Sequence, residues 1–194
     1  EASQIRARRM KDITRFILLM VSHQTSHDTH HPGLMQKGAN GYQPYATLVH
    51  WRSRDLKTIE HIAPQKQTAG WDARLYDPQS NLVDSLGNLV LMPLDLNSSL
   101  HNNTWPMKWT YYQYLALNNP DLRTQLVEEL AHKGITLQKS TVQLLNRSTY
   151  AGHMDPIVSV GIDGTWNADL VERRTKRMLE IFHDRMMQWL KVEE

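Results

Sequence analysis

The chain has 194 residues, a formal net charge of +2 and no cysteine. This length supports a hydrophobic core without a disulfide, and the lack of thiols excludes disulfides, thiolate zinc sites and cysteine nucleophiles. The longest apolar run, from Phe16 to Val21, is too short to cross a bilayer, and no signal peptide is recognisable. Since a cysteine-free chain suits a reducing compartment, we expect a cytoplasmic protein.

The N-terminal quarter predicts one helix followed by a loop. Apolar residues at helical spacing among basic ones indicate an amphipathic helix over residues 4–22. Residues 23–44 contain glycines, prolines and four histidines, a composition typical of a loop. His27 and His31 have a spacing that could bind zinc on a helix, but this loop composition favours an ordinary surface segment. The next segment, Tyr45 to Trp51, fits a short strand or a helical turn.

Two β-favouring segments follow, and they predict a hairpin. Lys57–Ile62 ends before Pro64, and Asn88–Met92 lies between Gly87 and Pro93. The polar stretch 65–80 is expected to be a loop with room for one helical turn. A helical start over 96–101 completes the order strand, loop, strand, helix.

The rest of the chain predicts helices, so the expected fold class is α+β and mostly helical. The aromatic residues of the segment 105–117 have the spacing of a core helix more than of a base-stacking surface. Residues 150–166 are expected to be a linker, and the last helix, 167–192, carries a long apolar stripe. The other predicted helices are 121–132, with Gly134 as its C-cap, and 141–146, and the stripe consists of Leu170, Met178, Leu179, Phe182, Met186, Trp189 and Leu190.

Polar residues of chemical interest accompany both predicted strands. Glu60 and His61 are adjacent, and neighbouring side chains on a strand point to opposite faces, so one can bind a cation while the other faces a water. Taken singly, each residue has a structural interpretation: His61 as a hydrogen-bonded strand end, Asn88 as a turn residue, and Asn97 as a helix N-cap.

Together these residues form a recognisable pattern. It comprises Thr58 to Gln65, Trp71, Leu86 to Leu91, Asn97 to Ser99 and Lys108, with Trp166, Arg173 or Arg174, and Trp189 near the end. The pattern resembles the His-x-x-Pro nuclease domain at the C-terminal end of GmrSD-type modification-dependent restriction enzymes. The same domain ends the phage-defence proteins BrxU and SspE. The resemblance covers roughly residues 45–192.

This resemblance implies a ββα-metal, or HNH-like, motif embedded in surrounding helices. It implies that His61 is the general base and that Asn88 is the middle residue of the motif, which braces the loop. Glu60 and Asn97 would then bind Mg²⁺ or Mn²⁺, with His101 as an alternative to Asn97 at the third position. The implied division is 1–44 for an N-terminal helix and loop, 45–118 for the nuclease core, and 119–194 for a helical C-terminal part.

The implied activity is that of a divalent-metal-dependent DNA endonuclease or nickase in prokaryotic defence against phage. Lys108, Arg173 and Arg174 are the candidate DNA contacts. The chain starts without methionine, so we expect a piece of a longer protein whose N-terminal sensor and NTPase domain recognises modified DNA. A homo-oligomer would allow paired nicks. Two alternatives remain: a DNA-binding or autoinhibitory module that is inactive in isolation, and an RNase with the same motif.

Overall fold

The computed structural model describes residues 11–38, 44–100, 102–148 and 151–190, without the side chains of residues 97–99. Helices dominate, and two short antiparallel sheets accompany them, which confirms the α+β, mostly helical fold class. No helix within these ranges combines the length and the apolar character that crossing a membrane requires.

The elements follow one another in a simple order. The helices are α1 Lys11–Ser22, α2 Leu48–Arg52, α3 Leu94–Leu100, α4 Trp105–Ala116, α5 Pro120–His132, α6 Lys139–Arg147, α7 Asp155–Val158 and α8 Ala168–Leu190. The strands are β1 Thr25–His27, β2 Met35–Lys37, β3 Thr58–His61 and β4 Leu89–Met92. Short 3₁₀ turns occupy Ala73–Tyr76, Leu82–Asp84, Leu86–Asn88 and Gly152–Met154.

Strands β3 and β4 form the predicted antiparallel hairpin. Thr58 pairs with Met92 and His61 with Leu89, and α3 begins directly after β4. Along β3, Thr58 and Glu60 are buried, whereas Ile59 and His61 are partly exposed. This alternation follows from the two-residue period of a strand, and it places His61 on the accessible side.

Strand β4 lies between two apolar clusters, which explains why all four of its residues are buried. Val90 and Met92 belong to the larger cluster, formed with α3 to α7 and the start of α8. Leu89 and Leu91 belong to the smaller cluster, formed with α1 and the middle of α8. The aromatic residues of α4 are core residues as predicted, since Trp105, Tyr111, Tyr112 and Tyr114 are buried in the larger cluster.

The structure corrects three expectations about secondary structure and burial. The predicted loop 23–44 contains the hairpin β1–β2, and the predicted linker 150–166 contains α7. The apolar stripe of α8 is wrong at its end, because Trp189 and Leu190 are exposed where the helix extends past the core. Residues 4–10 of the first predicted helix lie outside the described part of the chain.

Gly87 sits at the closest approach between the turn 86–88 and α8. Its backbone N–H donates to Thr175 Oγ1 at 2.9 Å. A Cβ at this position would overlap the carbonyl oxygen of Val171 and lie 2.8 Å from the backbone nitrogen of Thr175. Only a residue without a side chain allows this contact, so glycine is required here by packing.

We therefore expect Gly87→Ala to destabilise the fold. The added methyl must displace helix backbone, and overpacking of this kind costs about 1–3 kcal/mol or more. Denaturant unfolding measures the change. Gly70→Ala is the comparison, because Gly70 has a positive φ of 88° and nothing within 4 Å of an added Cβ, whereas Gly87 has no positive φ and only the contact with α8 can make its substitution costly. An unchanged free energy of unfolding in Gly87→Ala would contradict the requirement for glycine at this contact.

Candidate active site

The end of β3 and the 3₁₀ turn Leu82–Asp84 bring two titratable side chains together. His61 Nε2 lies 3.1 Å from Asp84 Oδ1. The exposed fractions of the two side chains are 15% for His61 and 21% for Asp84, so both are held by the protein yet reachable by water. An imidazole held by a carboxylate at a partly open surface can accept or donate a proton near neutral pH.

Two neutral amides complete the surroundings of Asp84. Gln65 Nε2 donates to Asp84 Oδ1 at 2.8 Å, and Asn81 Nδ2 donates to Asp84 Oδ2 at 3.3 Å. Partial burial alone would raise the pKa of Asp84, but the hydrogen bond from Gln65, the charge of His61 and the bond from Asn81 outweigh it and lower the pKa. The carboxylate is therefore ionised at neutral pH.

Asn88 is fully buried and connects the two sides of this site. Its Oδ1 accepts from the backbone N–H of Ala63 at 2.8 Å and from Trp166 Nε1 at 3.0 Å. Its Nδ2 donates to the carbonyls of Ala63 at 2.9 Å and Val83 at 2.8 Å. One side-chain amide thus ties the segment after His61, the residue before Asp84 and the start of the α8 region together.

Glu60 points away from this site into the protein. Its carboxylate accepts from Lys108 Nζ at 2.6 Å, and the same ammonium donates to the carbonyl of His61 at 2.7 Å. Both side chains are buried, and Lys108 has no exposed surface. Burial raises the pKa of Glu60 and lowers that of Lys108, and each partner's charge acts against the shift. The pair anchors the end of β3 to α4.

Of the two predicted cation ligands, Glu60 and Asn97, the structure describes the side chain of Glu60 alone. The carboxylate of Glu60 is paired with Lys108, and the Glu60 side chain is 7% exposed, an arrangement that does not fit a ligand of a hydrated ion. Asn97 lies in α3, but its side chain is outside the described part, as is His101. Within the described ranges no three His, Asp or Glu side chains gather as a metal site, including those of the 23–31 histidine segment.

The predicted DNA contacts are dispersed. Arg173 is exposed on α8, whereas Arg174 is buried, with its guanidinium 5.7 Å from the ring of Trp166. Burial lowers the pKa of Arg174 to about 10. As placed, Arg174 and Lys108 have no surface from which to reach a phosphate. Arg15, a basic residue of the first helix, is also buried and donates to the carbonyls of Leu56 and Trp51.

Asp84 is the residue that the sequence interpretation missed, and Gln65 had no assigned role. Asp84 is separated from His61 by 23 positions, and the loop between them has no repeat or periodic pattern. The available signal was weak: an aspartate three residues before Gly87, at the entrance to the Gly-Asn-Leu segment.

A strand pair followed by a helix, with a histidine and a carboxylate at one edge, defines a candidate hydrolytic site on an α+β scaffold. A family model describing the C-terminal domain of GmrSD restriction endonucleases matches residues 8–181. The chain belongs to this family, which confirms the resemblance and points to the nuclease domain of a restriction endonuclease. No curated protein matches the chain.

Proposed function

We propose that this chain is a divalent-metal-dependent DNA endonuclease domain that nicks phage or modified DNA, with His61 as the general base. The observation that carries the proposal is the partly exposed imidazole of His61, 3.1 Å from Asp84, in a chain of the GmrSD C-terminal family. The family supports a DNA substrate. A cytoplasmic location, an N-terminal sensor and NTPase domain in a longer protein, and a homo-oligomer belong to the same proposal.

Phosphodiester hydrolysis requires a water activated in line with the leaving oxygen and stabilisation of the charge that develops on the phosphate. His61 takes the proton of the water, because neutral imidazole is a base near physiological pH. Lys108 fixes the backbone of His61 through its carbonyl, and Asn88 fixes the segment that follows. These contacts hold the imidazole in one place while its ring remains accessible.

The divalent cation would supply charge neutralisation on the phosphate when it is bound. Glu60 in its ion pair does not fit as a ligand, so we derive no step through the metal. Mg²⁺ or Mn²⁺ remains our proposal because the family resemblance implies it. Whether cleavage requires the cation can be measured directly.

The test is conversion of supercoiled plasmid to nicked and linear forms with Mg²⁺, Mn²⁺ or EDTA. We expect cleavage with either metal and none with EDTA. His61→Ala should lower the rate by on the order of 10²–10⁴-fold, the usual contribution of a positioned general base. His132→Ala, an exposed histidine at the end of α5, is the matched control and should cleave normally.

Two outcomes would contradict the proposal. A folded wild-type protein that leaves every plasmid supercoiled, including plasmid carrying modified bases, would favour the DNA-binding or autoinhibitory module. Salt-sensitive, metal-indifferent binding would identify that alternative. Equal cleavage by wild type and His61→Ala would show that His61 is not the general base. Faster hydrolysis of RNA than of DNA would support the RNase interpretation.

A further inference from the structure

We propose that Asp84 is a positioning residue that holds His61 as the Nε2–H tautomer and stabilises the imidazolium that forms when His61 takes the proton of the attacking water. The inference deepens the proposed function and rests on it for the role of His61. The proton moves from water to the imidazole of His61, the resulting hydroxide oxygen attacks phosphorus, and the leaving oxygen takes the bonding electrons of the P–O bond that breaks.

The tautomer follows from the chemistry of the partner. An ionised carboxylate has only acceptor oxygens, so the ring nitrogen 3.1 Å from Asp84 Oδ1 must donate. In neutral imidazole the other nitrogen then carries the lone pair. Asp84 therefore decides which nitrogen is basic, and its negative charge also stabilises the imidazolium that forms after proton transfer.

The arrangement of neighbours shows that Asp84 is oriented toward His61. Gln65 and Asn81 each donate to one of its oxygens, and no lysine or arginine in the described part of the chain bonds to it. Among the described residues, His61 is therefore the cationic partner of Asp84, and the two amides hold the carboxylate beside that imidazole.

Both residues are also fixed to one buried amide. Ala63, two residues after His61, exchanges two hydrogen bonds with Asn88, and Val83, directly before Asp84, accepts a third. The distance between the imidazole and the carboxylate is thereby fixed by a buried amide that contacts the segments of both residues. Precise separation of this kind is what a positioning contact requires.

The first test is the pH dependence of plasmid cleavage by wild type and Asp84→Asn. We expect the maximal rate to fall on the order of 10²–10⁴-fold, because an amide can also donate to Nε2 and select the other tautomer. The acidic limb of the profile should move to lower pH, since loss of the negative charge disfavours the imidazolium. Lys108, which donates to the carbonyl of His61, and its partner Glu60 are unchanged in this variant and carry opposite charges.

Conservative and matched variants separate positioning from folding. Asp84→Glu restores a carboxylate and should recover part of the rate and the original pH limb. Asp95→Asn removes an exposed carboxylate 3.8 Å from Arg54 and should change neither. A metal-ligand role for Asp84 predicts a different result, a higher Mg²⁺ requirement with an unmoved pH limb, and that result would overturn the proposal.

The second test does not depend on activity. Nitrogen chemical shifts of the His61 ring, measured by long-range ¹H–¹⁵N NMR, report the tautomer directly. We expect Nε2–H in wild type, and in Asp84→Asn a mixed or reversed tautomer with a lower titration midpoint. An Nδ1–H tautomer in wild type would overturn the proposal. Nε2–H in a protein that cleaves no nucleic acid would uphold the positioning and refute the nuclease function.

Discussion

Lys108→Met should destabilise the protein by about 3–5 kcal/mol at neutral pH, because it leaves the buried carboxylate of Glu60 without its counter-charge. Methionine keeps most of the volume of the lysine stem, so the loss is electrostatic and not a cavity effect. The carbonyl of His61 loses a donor as well. Denaturant unfolding monitored by tryptophan fluorescence gives the free energy of unfolding for each variant.

The loss should depend on pH in a defined direction. Without Lys108 the pKa of Glu60, already raised by burial, rises further. An acid whose folded pKa exceeds its unfolded value binds more protons when folded, so stability is highest at low pH and is lost as the pH rises through the folded value. The deficit of Lys108→Met relative to wild type should therefore shrink between neutral pH and about pH 5.

Two further variants make this result specific. In Lys108→Met combined with Glu60→Leu both charges are absent, and the pair of apolar residues should recover most of the lost stability. Lys133→Met, at the exposed end of α5, is the control and should change the free energy of unfolding by less than about 0.5 kcal/mol. A pH-independent loss that the double variant does not relieve would show that packing of the lysine stem is responsible.

Asn88→Ala should have the second large effect, on both stability and cleavage. Four partners lose their hydrogen bonds in a fully buried position, and each unsatisfied group costs about 1–3 kcal/mol. We expect a loss of at least about 3 kcal/mol, since relaxation and water entry recover only part of the total. Cleavage should fall at temperatures where the variant is still folded, because His61 and Asp84 lose their common anchor.

Asn118→Ala, an exposed asparagine after α4, is the matched control for this experiment and should be neutral in both measurements. Asn88→Asp adds a finer distinction, because it keeps the acceptor for Ala63 and Trp166 but removes both donors. If Asn88→Ala has the free energy of unfolding and the cleavage rate of the wild type, the hydrogen bonds of Asn88 do not organise the site.

Local sequence patterns were sufficient for the β3–β4 hairpin and for the longer helices. Proline and glycine bound the segments that became β3 and β4, and Gly134 follows the end of α5. The helical spacing of apolar residues did not predict burial where burial depends on a distant part of the chain. The stripe of α8 continues to Trp189, but the core it packs on ends earlier, so the last apolar residues are exposed. The sequence of α8 alone does not show where the core surface that it packs against ends.

Only part of the site was predictable, because several of its contacts join residues that are far apart in the sequence. His61 and Asn88 could be identified from adjacent motif residues, whereas the partner of each charged group lies far along the chain. Glu60 and Lys108 are 48 residues apart, and His61 and Asp84 are 23 apart. The sequence of α4 did not indicate that Lys108 is buried. The apolar and polar residues of this helix do not separate onto two faces, so the buried side could not be recognised from the pattern.

The hydrogen bonds from Trp166 and from Thr175 of α8 to the turn 86–88 form at a defined stage of the synthesis of the chain. Trp166 and Thr175 reach back 78 and 88 residues to Asn88 and Gly87. A ribosome makes these partners after the β3–β4 hairpin, so the hydrogen bonds from Trp166 and Thr175 to the turn cannot form until α8 has emerged. A nascent chain halted before α8 holds His61 and Asp84 without that support.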